Sequence, residues 1–174
     1  NNTKVWRSGA NGIHAIGAVG VNITGDCNIT GNTRSEVYVE GGQYFNFTYS
    51  NFTDYIDARI GMGIWFVNSR DVVIDHNYIA HHDSDSTIFE NVSNLSITFN
   101  NIGTNVNPLN NVGSGITLAD SYGSYIAWNN MSNLNGGGVF FWRKSSAVIE
   151  NNNISDNPGS AIGNWGDPAS FHSE

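Results

Sequence analysis

Charge is scarce in this chain. Only 13% of its 174 residues are charged, and seven Lys and Arg stand against fifteen Asp and Glu, for a net charge of −8. No basic stripe is present to release counterions from phosphates, which speaks against a nucleic-acid partner. The same shortage speaks against an unaided grip on polyanionic glycans. Long apolar runs are missing as well, so no segment is expected to insert into a membrane. The one cysteine, Cys27, rules out a disulfide framework within the chain, and it reads as a small buried residue. Amphipathic helices that could cap either end are also lacking.

A repeat is what the sequence does have. With Val139 as a reference position k, apolar side chains fall at k, k+2, k+8, k+10 and k+15 (Val139, Phe141, Ala147, Ile149, Ile154), with Asn152 at k+13. The same grid fits from Ile116, Thr87, Ile64 and Val37. From Ile13 it holds through Ile23 and then slips by one residue to Cys27 and Ile29, and a last partial copy begins at Ile162. Alternation at period two over short runs is strand periodicity. Three short strands per copy, at a shortest spacing of 23 residues, describe one coil of a parallel β-solenoid. Like positions should then stack about 4.8 Å apart. Stacking turns the k+13 column (Cys27, Ser50, Asn77, Asn100, Asn129, Asn152) into an asparagine ladder from the third coil onward.

On these columns the sequence resembles the right-handed parallel β-helix proteins, the pectate-lyase-like superfamily with its carbohydrate-binding and sugar-hydrolase repeats. The expectation is an all-β, right-handed parallel β-helix of about seven coils, one domain over residues 1–174. The last coil stops at Phe171-His172-Ser173-Glu174, near its second strand. The chain is therefore expected to be a piece of a longer protein, or to have its ends covered by flanking domains or other subunits.

Departures from the repeat point to function. The minimal connection from k+15 to the next k is eight residues, but Phe52 to Ile64 spans twelve and Ile102 to Ile116 fourteen. Insertions in solenoids collect on the binding face, so these two loops are expected to wall a cleft over the coil that starts at Thr87. The outer k+1 and k+3 columns carry Tyr38, Trp65, Phe140 and Trp142, an aromatic stripe suited to sugar rings. Asn68, Asn91 and Lys144 complete the expected saccharide contacts. Glu90 and Asp120 lie one coil apart and one residue offset, with α-carbons about 6 Å apart by strand spacing. Such a pair can serve either geometry of glycoside hydrolysis, with Arg143 one coil above holding Asp120 ionised and Glu90 beside Ile88 as the acid. The catalytic candidates are therefore Glu90, Asp120 and Arg143.

A second cluster, His81, His82, Asp83 and Asp85, mixes imidazole and carboxylate and could supply a metal ligand or a general base. Its spacing matches no metal motif. His76 shares its column with Phe99 and Trp128 and reads as a stacked structural residue. No cofactor is required by the hydrolase reading, although a divalent metal such as Ca fits the lyase branch of the superfamily, where Arg143 or Lys144 would be the base. The carboxylate-rich calcium pattern and the paired-Asp motif of the polygalacturonase branch are both missing. Nine Asn-x-Ser/Thr sequons, at Asn1, Asn22, Asn28, Asn46, Asn51, Asn91, Asn94, Asn130 and Asn153, suggest a secreted or cell-surface protein. Four of them (Asn28, Asn51, Asn130, Asn153) fall where the repeat itself favours Asn. The sequence thus leaves three readings: a polysaccharide hydrolase, a non-catalytic glycan-binding or structural solenoid of a cell-surface or viral fibre protein, and a polysaccharide lyase.

Overall fold

The computed structural model describes residues 3–53, 61–103, 113–165 and 170–173, with backbone alone for 165 and 170–173. Every regular element among them is a β-strand, and the strands stack in parallel as the grid requires. In the first sheet Ile13 pairs with Val37, Val37 with Ile64, Ile64 with Thr87, Thr87 with Ile116, and Ile116 with Val139. In the second, Phe45, Val72, Leu95, Ser124 and Ala147 follow one another. In the third, Val5, Ile29, Phe52, Ile79, Ile102, Met131 and Ile154 form one column. That third sheet is seven strands deep, so about six complete turns separate its first strand from its last. The fold is a right-handed parallel β-helix. Two strands of the first sheet differ from the others. Ser35–Thr48 and Met62–Asp75 run unbroken into the second sheet, whereas Thr87–Glu90 and Ser93–Thr98 are separate strands.

Sequence alternation places the core where the grid put it. Phe66, Phe89, Leu118 and Phe141 are fully buried in one column. The Phe66 and Phe89 rings stack at 5.8 Å between centroids, and Phe45 meets Phe66 edge-on at 5.1 Å.

Between strands the chain turns at columns of positive φ. At k+4 stand Gly17, Gly41, Asn68, Asn91, Asp120 and Arg143; at k+7, Gly20, Tyr44, Asp71, Asn94 and Gly123; at k+12, Tyr49, His76, Phe99, Trp128 and Asn151. Asn and Asp accept this left-handed conformation at low cost, which explains their density at the first two corners. The one-residue slip in the first copy has the same origin. Gly25 and Asp26 both take positive φ, 76° and 60°, where later coils use one residue. At k+12 four of the five strained residues are aromatic, and they recover energy by stacking. Tyr49, His76, Phe99 and Trp128 form a continuous outward stack with centroid spacings of 4.9, 4.9 and 5.1 Å. His76 is thereby a stacked residue, as its column implied, with Nδ1 2.7 Å from Asp75 Oδ2.

The inner ladder is continuous. The backbone amides of Ser50, Asn77, Asn100 and Asn129 donate to the side-chain oxygens of Asn77, Asn100, Asn129 and Asn152 at 2.8–3.0 Å. Each ladder amide also donates back to main-chain carbonyls, Asn100 Nδ2 to Ile74 O and Thr98 O at 2.8 and 2.9 Å. On the outer face of the third sheet a second ladder links Asn51 to Asn28 and Asn153 to Asn130, both at 2.8 Å. Four sequons are thus explained by stacking of the repeat. Asn100→Ala is expected to destabilise the protein, since the Asn77 amide and the Ile74 and Thr98 carbonyls lose a buried partner at about 1–3 kcal/mol for each group stranded. Thermal unfolding checks this; an unchanged midpoint would make the ladder dispensable.

Candidate functional site

The connections entering the first sheet are built from small residues because adjacent coils touch there. A Cβ added at Gly137 would lie 2.3 Å from Ser160 O, and one at Gly136 2.9 Å from Gly113 O. This glycine bed leaves a cleft of about 550 Å³ on the outer face of the first sheet. Phe140 and Trp142 stand on alternate outward positions of Val139–Trp142 and form its apolar wall. Gly163, one coil on, gives the Phe140 ring room, for a Cβ there would sit 3.1 Å from Phe140 Cδ2.

Asp85 supplies the charge. Its carboxyl is partly open to the cleft and otherwise packed in protein, and the Ser114 amide donates to Oδ1 at 2.6 Å. Burial raises its pKa from 3.8 to about 6, against the opposing effects of the Ser114 amide and the Thr117 hydroxyl. Among the described lining residues Asp85 is the only carboxyl. The sequence placed Asp85 with the histidines and Phe140 and Trp142 with the sugar contacts. The fold brings these three into one cleft, across two coils.

The remaining candidates spread over the same face. Tyr38 lies edge-on between His14 and Trp65, at 5.1 and 5.0 Å, and its hydroxyl donates to Glu40 Oε2 at 3.2 Å. Trp65 Nε1 donates to Glu90 Oε1 at 2.9 Å. Glu90 is in register with Ala119, so Asp120 stands one residue further on, at the positive-φ corner. There it meets Arg143 Nη1 at 3.2 Å, and the Arg143 guanidinium also lies 4.7 Å over the Trp142 ring. Asn91 Nδ2 donates to Asn68 Oδ1 at 2.8 Å along that corner, and Lys144 is exposed. Glu90 and Asp120 are thus each engaged with a different partner. The outward stripe is broken in the middle, since Ile88 and Thr117 are buried. Of the two enlarged connections expected to wall the cleft, residues 54–60 and 104–112 lie outside the described residues.

The histidine cluster diverges. His82 is buried, with Nε2 3.1 Å from Phe52 O, and burial lowers its pKa from 6.5 to about 4. His81 turns at φ 67° to pack edge-on to Tyr78. Asp85 faces the cleft. Among the described residues no three His, Cys, Asp or Glu side chains gather as a metal site.

Stacked coils, an internal amide ladder and an open cleft on one outer sheet define a parallel β-helix protein of the pectate-lyase-like type. Residues 1–168 match the family described as periplasmic copper-binding protein (NosD), and the chain belongs to that family. No curated protein and no solved structure matches it. The family description names a compartment outside the cytoplasm and a metal. Among the described residues the donor chemistry does not fit that metal. Copper selects thiolate, thioether and imidazole. Here Cys27 Sγ rests on Thr24 O inside the coil, Met131 is in the core, His14 packs on Tyr38, and His76 is sandwiched at another corner. Among the described residues these donors do not converge, and even the adjacent His81 and His82 part, His81 packing on Tyr78 and His82 Nε2 lying against Phe52 O.

Proposed function

We propose that this chain is an extracytoplasmic, secreted or surface-held, saccharide-binding β-helix, with its ligand in the Asp85–Phe140–Trp142 cleft. The cleft itself carries the reading: two aromatic side chains offer flat apolar faces, and one partly buried carboxyl beside the Ser114 amide offers hydrogen bonds to hydroxyls. Binding is favoured over cleavage. Hydrolysis of a glycosidic bond calls for two carboxyl groups flanking it, and the described lining supplies one. Glu90 and Asp120 are committed to Trp65 and Arg143. A lyase base is no better served, because Arg143 is ion-paired and Lys144 extends into solvent.

Titration calorimetry against a panel of oligosaccharides tests the reading. Trp142→Ala is expected to weaken the best ligand about tenfold or more, as for loss of an aromatic contact. Glu90→Gln and Asp120→Asn should leave the affinity near that of the parent. Reducing-end release from any bound polysaccharide, abolished by either carboxylate substitution, would restore the hydrolase. Unchanged binding in Trp142→Ala would remove the cleft as the site.

A further inference from the structure

We infer that the saccharide taken by this cleft carries a free amine, so that an ammonium group sits against Asp85. The inference rests on the saccharide reading above and adds the charge class of the ligand. An ionised carboxylate offers about four acceptor positions, and the Ser114 amide fills one of them at 2.6 Å. The groups that act on Asp85 are that amide and the Thr117 hydroxyl, both neutral, so no side-chain cation among the described residues offsets its charge. Burial without a counter-charge is the condition that raises its pKa to about 6.

A ligand can supply what the protein does not. An ammonium would make charge-assisted hydrogen bonds to Asp85, about twice as strong as those from a neutral hydroxyl. The walls suit the same group, because the faces of Phe and Trp attract cations. Trp142 already does so within the molecule, holding the Arg143 guanidinium 4.7 Å from its ring. That cation is neutralised by Asp120 and so opposes a second one only weakly. The net charge of −8 favours approach of a cationic ligand over an anionic one.

Three tetrasaccharides separate the possibilities at pH 7: one of glucosamine, one of N-acetylglucosamine and one of glucose. The glucosamine oligomer is expected to bind about 10- to 100-fold more tightly than the other two, the range for a hydrogen bond to a charged group. Asp85→Asn, which keeps an acceptor for Ser114, should erase that preference. Phe140→Leu should weaken the glucosamine oligomer while Glu150→Gln, on the second sheet, leaves it unchanged. Equal affinity for all three oligomers would overturn the amine and leave the saccharide reading standing. Preference kept in Asp85→Asn, or lost equally in Glu150→Gln, would assign the effect to general charge and overturn the inference. Binding of none of the three to the parent would remove both readings.

Discussion

Replacing Phe89 with alanine is expected to destabilise the protein by about 3–5 kcal/mol, the cost of emptying a buried aromatic site. Phe89 is fully buried, stacked on Phe66 in the coil below and paired in register with Leu118 above. The void cannot close easily. Adjacent coils are held at fixed separation by main-chain hydrogen bonds, among them Ile64 N to Ser86 O and Thr87 N to Gly115 O, both at 3.0 Å. Because each coil contacts only its neighbours, the loss is felt at two interfaces at once. Phe99, in the same coil, is the control. The residue is 48% exposed and its ring stacks between His76 and Trp128 on the outer corner, so Phe99→Ala should cost about 0.5–1.5 kcal/mol. Chemical denaturation of the two variants compares them directly. Equal losses would mean that the inward and outward columns have been exchanged.

How much of this could be read from the chain depends on which physical rule set each position. Register was legible because alternation is enforced by the core. Once Val39, Phe66, Phe89, Leu118 and Phe141 must point inward, every neighbour's face follows. The asparagine ladder was legible because its column is invariant across four coils. Corners were less so. Asp120 and Arg143 read as outward chemistry at k+4, yet that column is a left-handed bend in which Gly17 and Gly41 stand in the first coils. An acid there is explained by backbone conformation before any reaction is invoked. Glu90 was placed on the right face, but its bond to Trp65 depends on side-chain reach between coils, which spacing does not encode.

Asp85 shows the limit most clearly. It lies at k−2, in a connection where no alternation fixes direction, and its nearest signal in the sequence was the row of histidines beside it. What decides its role is the coil stacked on it, through Ser114, and the coil after that, through Phe140 and Trp142. The run of glycines at 136–138 was the available clue. Three consecutive residues without side chains, just before a strand bearing two outward aromatics, make a floor and a wall.

Asp85 and His82 are expected to give stability two opposite pH dependences that nearly cancel in the parent. Burial raises the folded-state pKa of Asp85 from 3.8 to about 6. Between those values the folded state holds a proton that the unfolded state releases, so this contribution is fully present below pH 3.8 and is lost as pH rises through about 6. Burial lowers the pKa of His82 from 6.5 to about 4, with a smaller push from His81. Here the unfolded state holds the extra proton, so stability is fully present above pH 6.5 and is lost as pH falls through about 4. Each contribution amounts to about 3 kcal/mol at about 1.4 kcal/mol per pH unit. Single substitutions should therefore unmask the partner. In Asp85→Asn only the histidine remains, and urea denaturation should show stability climbing by about 3 kcal/mol from pH 4 to 6.5. In His82→Gln only the acid remains, and stability should fall by a similar amount from pH 4 to 6. The double variant should be flat where the single variants slope. Two single variants sloping the same way would contradict the burial of one group or the other.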